Sequence, residues 1–261
     1  SAMREAGEYR MTVKGGKFLE AVAEADTIVF DKTGTLTEAV PKVHKVVPFG
    51  ELNEDECLRI AACLEEHYPH SIANAVVKEA MVRNLDHEEK HSKVEYIVAH
   101  GIATTLDGQK VCIGSHHFIF DDEGCTIDED KKQAFEDLPN EYSHLYLAID
   151  KKLVAVILID DPIKPGVAKA IKQLKALGIK NAVMMTGDNE RTARVIAAKV
   201  GVDSYYSEVL PEDKAKFIKE ERSKGHKVIM VGDGVNDSPA LSEADAGIAI
   251  NSGAAIAREV A

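Results

Sequence analysis

The chain has 261 residues, 45% of them hydrophobic, enough to bury one large core or two ordinary ones. Its 44 acidic residues against 32 Lys and Arg give a formal net charge of −12, which argues against a nucleic-acid surface or docking on anionic lipid and suits a cationic or metal-chelated partner. The four cysteines, Cys57, Cys63, Cys112 and Cys125, form no CxxC pair, so they fit a reducing compartment and buried thiols rather than a disulfide frame or a zinc site.

Taken from the N-terminus, Ser1-Ala2-Met3 lacks an apolar h-region and is read as a cloning remnant, not a signal sequence. The first predicted element is Thr27 to Phe30, a compact apolar run read as a buried parallel strand. Strands of that kind deliver their C-terminal ends to the crevice where open α/β sheets do chemistry, which puts Asp31 on an active-site edge. Lys32, Thr33, Gly34 and Thr35 follow as a donor-rich turn able to hold an anion beside that carboxylate.

A different organisation begins near Glu38 to Pro41. Amphipathic helices are predicted at about Glu54 to Glu66 and Ser71 to Asn84, then strands near Val94 to Leu106 and Lys110 to Gly114. A helix near Asp128 to Leu138 and strands near Leu145 to Asp150 and Leu153 to Leu158 complete an α+β domain on an antiparallel sheet. Leu153 to Ile159 is also the longest apolar run, well short of the ~20 residues that span a bilayer, so the chain by itself is expected to be soluble. The insertion is left near Asp160 to Pro165, with Pro41, Pro162 and Pro165 stiffening the crossings.

Three more apolar strands run into polar or Gly-rich turns: "NAVMMTGDN" (Asn181 to Asn189), "HKVIMVGDGVND" (His226 to Asp237) and "DAGIAINSG" (Asp245 to Gly253). Helical patterns at Gly166 to Leu177, Glu190 to Val200 and Glu212 to Ser223 alternate with them. The expected fold class is therefore α/β, a doubly wound parallel sheet carrying an inserted α+β domain. The boundaries are 1–38 and 160–261 for the first domain and 39–159 for the second.

Four loops should then meet at one sheet edge: Asp31 to Thr35, Thr186-Gly187-Asp188, Lys214 on its helix, and Gly232-Asp233-Gly234 with Asn236 and Asp237. Two carboxylates ~4 Å apart repel by ~4 kcal/mol at an effective dielectric near 20, so Asp31, Asp233 and Asp237 call for a cation. Mg²⁺ favours carboxylate oxygen and bridges to phosphate, Lys214 can neutralise phosphate charge, and the Thr33 and Thr186 hydroxyls can hold its oxygens. In that setting Asp31 attacks phosphorus and becomes an aspartyl phosphate.

These residues resemble the P-type ATPase family of ion pumps, in its phosphorylation and nucleotide-binding domains. "DKTGTLT" at Asp31 to Thr37 is similar to the family's phosphorylation signature, and "TGD" at Thr186 to Asp188 and "GDGVNDSPAL" at Gly232 to Leu241 to its two other motifs, all in family order. The resemblance implies that ATP phosphorylates Asp31, that Asp31, Asp233 and the Thr33 region hold Mg²⁺, that Lys214 contacts the phosphate, and that Lys32, Asn236 and Asp237 support the site. Asp161 and Lys164 in "DDPIKP" look like the family's second hinge.

The small insert resembles that of the heavy-metal branch. "EHYPHSIANAVV", from Glu66, is similar to its His-Pro motif, with His70 as the implied adenine contact, although Ser71 replaces the proline and Pro69 an acidic residue. Glu66, Gly101 and Gly114 complete the implied nucleotide pocket, with Ala99 in place of one of a glycine pair. What the resemblance implies is the cytoplasmic catalytic portion of a cation pump. Its metal cargo, membrane helices and actuator domain lie outside this monomeric fragment, and it has no nucleic-acid partner.

Blander readings stand beside these. His67 with His70, and His116 with His117, have spacings that invite a metal, but adjacent histidines usually diverge, and His67, His116 and His117 are read as surface groups. Asp121-Asp122-Glu123 reads as a solvated loop, and Cys63 and Cys112 as core positions. Gly232-x-Gly234 is a weak phosphate-loop signal, and no GxxxxGK[ST] is present. A free-standing phosphatase of the haloacid dehalogenase superfamily would share the sheet and nucleophile, but it usually carries an acid/base Asp where Thr33 stands. A nucleotide-sensing module is the non-enzymatic alternative.

Overall fold

The computed structural model describes residues 16–38, 40–67, 70–85, 91–97, 101–234 and 236–250, with backbone alone over 91–97. Pro69, Ala99 and the Asn251 to Gly253 end of the last predicted strand lie outside the described residues. In chain order the elements are α1 (Gly16–Glu24), β1 (Thr27–Asp31), β2 (Lys42–Pro48), α2 (Glu54–Glu65), α3 (Ser71–Val82), β3 (His91–Ile97), β4 (Gly101–Leu106) and β5 (Gln109–Gly114). There follow α4 (Lys132–Glu136), β6 (Ser143–Ile149), β7 (Lys152–Asp160), α5 (Val167–Ala176), β8 (Asn181–Met185), α6 (Glu190–Val200) and β9 (Ser204–Tyr206). The last are α7 (Pro211–Ser223), β10 (Val228–Gly232), α8 (Ser238–Glu243) and β11 (Ala246–Ala249). Two compact units emerge, Ser1–Leu36 with Pro165–Met185 and Ala197–Ala261, and Thr37–Lys164 with Thr186–Ile196.

The first unit is built on a parallel five-stranded sheet in the order β11-β10-β1-β8-β9. The chain builds outward on one side of β1 through β8 and β9, then crosses to the other side for β10 and β11. The strand order therefore reverses at β1, and a reversal of this kind opens a crevice at the carboxyl ends of the flanking strands. Both β1 and β10 are buried along their whole length, so neither alternates, and each reads as a short apolar block. Val29, Val183, Met185, Val228 and Met230 pack with Ile218 of α7 and Ala240 of α8.

The second unit carries an antiparallel six-stranded sheet in the order β2-β7-β6-β5-β4-β3. Alternate residues of β6 and β7 feed two separate cores. Leu145, Leu147, Ala155, Ile157 and Ile159 pack with α2 and α3, whereas Tyr146, Ala148, Val156 and Leu158 pack with Phe118, Ile119 and Cys125 on the other face. With both faces covered, β7 has no polar side to show, which explains the uninterrupted run Leu153 to Ile159. Each such residue, Ile157 for example, contributes roughly 1.5–3 kcal/mol by leaving water.

Helix α2 begins at a reciprocal cap: Glu56 N donates to Asn53 Oδ1 at 2.9 Å and Asn53 N to Glu56 Oε2 at 2.8 Å. Helix α3 stops where Asn84 takes a left-handed backbone, φ 54°. The predicted helix Asp128 to Leu138 is shorter than expected, a single tight turn at Glu129–Lys131 followed by α4. Cys57, Cys63, Cys112 and Cys125 are all buried free thiols, as the apolar reading of Cys63 and Cys112 requires. Where the chain enters and leaves this unit, Thr37 bridges Ile163 and Glu38 N donates to Pro162 O at 3.0 Å.

Candidate active site

Asp31 closes β1 at the reversal point of the parallel sheet and is 8% exposed. The chain then turns sharply. Thr33 (φ −70°, ψ 124°) and Gly34 (φ 78°, ψ −10°) have the central geometry of a type II turn, whose third residue needs a positive φ that glycine supplies without strain. Gly34→Ala is therefore expected to lower the unfolding free energy by about 1–2 kcal/mol in urea titrations, and a loss under 0.5 kcal/mol would contradict the turn assignment. Lys32 and Thr35 are buried within this loop, and Thr35 Oγ1 has no hydrogen-bond partner among the described residues, four positions after Asp31 in the chain.

Lys214 projects from the first turn of α7, a helix opened by Pro211 and by Leu210 N donating to Asp213 Oδ2 at 3.0 Å. Its buried ammonium lies 2.8 Å from Asp31 Oδ1 and 2.8 Å from Asp237 Oδ1. The other Asp237 oxygen accepts from Asp233 N at 3.0 Å, so one fully buried carboxylate ties the lysine to the loop after β10. Gly232 makes room for it, since a Cβ there would stand 2.4 Å from Asp237 Oδ2. Asn236 orients Asp233, its backbone N donating to Oδ1 at 2.7 Å and its Nδ2 to Oδ2 at 2.8 Å.

Burial pushes the Asp31 carboxyl up to about 6, with Lys214 opposing the rise and Asp237 and Asp233 adding to it. Burial also works against the Lys214 ammonium, but Asp31 and Asp237 outweigh it and hold its pKa above the ordinary value. The structure thus sets two carboxylates on one ammonium, with a third, Asp233, near enough to act on Asp31, a cluster with negative charge to spare. Hard carboxylate oxygens carrying surplus charge fit Mg²⁺, and Asp31 and Asp233, with the Thr33 segment beside them, are the residues that would hold it.

The remaining predicted residues belong to the second unit. Met185, register partner of Asp31, is the last residue of β8, and Thr186-Gly187-Asp188 follows it directly in the chain. Thr186 Oγ1 accepts from Asp188 N at 3.0 Å, which fixes this turn. His70 caps α3, its Nδ1 accepting from Ala73 N at 3.2 Å, so the ring proton sits on Nε2. Gly101 and Gly114 are directly paired across β4 and β5. A Cβ on Gly101 would fall 2.1 Å from the Phe118 ring and 2.6 Å from Ile113 O, a packing reason for glycine there.

Glu66 is exposed at the end of α2, whereas its neighbour Glu65 is 3% exposed. Glu65 Oε2 lies 3.2 Å from His70 Nε2, without hydrogen-bond alignment and with no other partner among the described residues. Sequence reasoning passed over Glu65, yet the signal was present: Leu58, Ala61, Ala62 and position 65 form one helical stripe, and a carboxylate on an apolar stripe asks for a reason. His117, for its part, faces Asp121 and Asp122 at 3.1 and 3.4 Å.

Residues 25–245 match the haloacid dehalogenase-like hydrolase family, a span that runs from just before β1 to the start of β11. The chain belongs to the haloacid dehalogenase-like hydrolases. Among curated relatives of this chain, a copper-transporting ATPase 1 from Rhizobium meliloti is 40% identical over 257 residues, covering 98% of this chain and 31% of the relative. A copper-exporting P-type ATPase from Legionella pneumophila is 37% identical over 249 residues, covering 95% and 33%. The chain spans about a third of the length of these relatives.

Solved structures agree. The catalytic domain of the CPx-ATPase CopB-B, studied for its changes upon nucleotide binding, superposes with a TM-score of 0.73 at 26% identity, covering 95% of this chain and 87% of that one. A zinc-transporting PIB-type ATPase in its E2.Pi state matches with a TM-score of 0.55 at 33% identity, over 96% of this chain and 40% of the other. Within the hydrolase family, then, the chain is similar to the catalytic part of heavy-metal P-type ATPases. Among the described residues no helix is long and apolar enough to cross a membrane.

Proposed function

We propose that this chain is the ATP-phosphorylated catalytic portion of a heavy-metal cation pump. The observation that carries the reading is Asp31 at the strand reversal, held with Asp237 on one buried ammonium. The first unit acts as the phosphorylation domain and the second as the nucleotide-binding domain. An Asp31 carboxylate oxygen attacks the γ-phosphorus of ATP, a new O–P bond forms, the bond to the β,γ-bridging oxygen breaks, and ADP leaves with that electron pair. Lys214 neutralises charge on the transferred group, and Thr33, Thr186, Gly187 and Asp188 supply donors and support to it. Bound Mg²⁺ supplies Lewis-acid neutralisation of phosphate charge. Asp237 and Asn236 hold Lys214 and Asp233 in place for the reaction.

In the second unit, the buried Glu65 carboxylate is an acceptor suited to the exocyclic amine of adenine, and His70 with the paired Gly101 and Gly114 completes the pocket. Relatives three times longer are named for copper transport, and a structural neighbour for zinc, so the cargo is a heavy-metal cation carried through membrane and actuator domains beyond this chain, with the present part on the cytoplasmic face. Incubation with γ-labelled Mg-ATP is expected to give acid-stable, hydroxylamine-sensitive label that disappears in Asp31→Asn. Label retained by that variant would place the acceptor elsewhere.

A further inference from the structure

Asn189 follows directly on the Thr186-Gly187-Asp188 turn, and both ends of its side-chain amide are engaged. Its Oδ1 accepts from Thr192 N at 3.0 Å and so caps α6. Its Nδ2 reaches back to β6, 3.0 Å from the Tyr146 hydroxyl and 3.2 Å from His144 Nδ1. His144 Nε2 lies 2.8 Å from Pro139 O, and a carbonyl only accepts, so the ring proton is on Nε2 and Nδ1 is left as the acceptor. Burial lowers the His144 pKa and favours this neutral form. Tyr146 is 2% exposed and wedged among Phe120, Phe135 and His116, which leaves its hydroxyl little freedom to move.

The same segment is tied twice more, by Thr192 Oγ1 donating to Tyr142 O at 3.1 Å and by Arg191 paired with the Glu136 carboxylate and donating to Glu136 O at 3.0 Å. Such a network exceeds what a surface helix needs. An N-cap uses Asn189 Oδ1 alone, and the Nδ2 contacts are extra. What they fix is the orientation of the peptide that follows Asp188, at the end of a turn in which Asp188 N donates to Thr186 Oγ1.

We propose that Tyr146 and His144, acting through Asn189, are positioning residues for phosphoryl transfer, holding the Thr186-Gly187-Asp188 turn in its reactive conformation. The inference deepens the phosphoryl-transfer reading above and rests on it. It also makes the six-stranded sheet, which carries the nucleotide pocket, a direct support of a motif used in the chemistry.

The test is single-turnover transfer from γ-labelled Mg-ATP in this chain, with Mg-ATP affinity measured by calorimetry on the same variants. Tyr146→Phe removes one hydroxyl, and Asn189→Ser keeps a capping oxygen while losing the Nδ2 donor. Each is expected to slow transfer about tenfold to a hundredfold, as small misplacements of reacting groups do, with the dissociation constant unchanged within about twofold. The double variant should be little slower than either single one, because the two groups act as one unit. Transfer at the wild-type rate in either folded variant overturns the positioning role, as does a loss of affinity parallel to the loss of rate. Should the wild-type chain take no label, the phosphoryl-transfer reading falls, and this inference with it.

Discussion

Replacing Lys214 by alanine is expected to cost the metal-free chain about 3–5 kcal/mol of unfolding free energy at pH 7, the typical penalty for stranding a buried charge. The ammonium is 2.8 Å from both Asp31 Oδ1 and Asp237 Oδ1, and all three side chains are almost completely shielded from water. Without it, two carboxylates face each other in a poorly solvated crevice beside a third, Asp233. Lys214→Met keeps much of the aliphatic packing and should lose nearly as much, which separates the charge from the stem. The penalty should shrink as pH falls, because Asp31 then takes a proton. Urea denaturation in EDTA at pH 7 and pH 5 reads both effects. A variant within 1 kcal/mol of wild type at pH 7 would mean that the carboxylates tolerate one another and that the cluster needs no cation.

This electrostatic demand is what made the site legible in the sequence. Aspartates gathered where apolar runs end imply convergence and a demand for a cation once a parallel sheet is assumed; the sequence reading assigned that place to Mg²⁺ and Lys214 to phosphate, and the structure puts the Lys214 ammonium itself on Asp31 and Asp237. The strands β1, β8 and β10 were equally legible, since total burial leaves a compact apolar signature bounded by polar turns. Strand β2 was not. It is an edge strand, largely exposed, and an irregularity between Val43 and Lys45 breaks the two-residue period that would have announced it. The helices α1 and α8 and the three-residue β9 escaped because they are short or flanked by no strong periodic pattern. Glu65 escaped because its burial is set by the packing of α2, while its exposed neighbour Glu66 stands at the head of a motif. The ties of Asn189 to His144 and Tyr146 span more than forty residues. No local pattern encodes such a contact.

The second large effect runs against the usual direction of active-site mutations. Asp31→Asn is expected to stabilise the metal-free chain by roughly 1–3 kcal/mol at pH 7 while abolishing phosphorylation. The Asp31 carboxyl titrates at about 6 in the fold against an ordinary 3.8, so the fold prefers its protonated form. Stability from that preference is complete below about pH 4 and is lost as pH rises through 6, a total of ~3 kcal/mol for a shift of this size. Asparagine never ionises, still offers an oxygen to Lys214, and escapes the loss. The advantage of the variant should therefore vanish near pH 4 and open between pH 4 and pH 7, in urea titrations performed in EDTA. Added Mg²⁺ should close the gap again, because it stabilises the wild-type carboxylate by mass action and has less to bind in the variant. An asparagine variant less stable than wild type at pH 7 without metal would show that the ion pair with Lys214 outweighs burial, and that Asp31 is held for the fold rather than kept under strain for reaction.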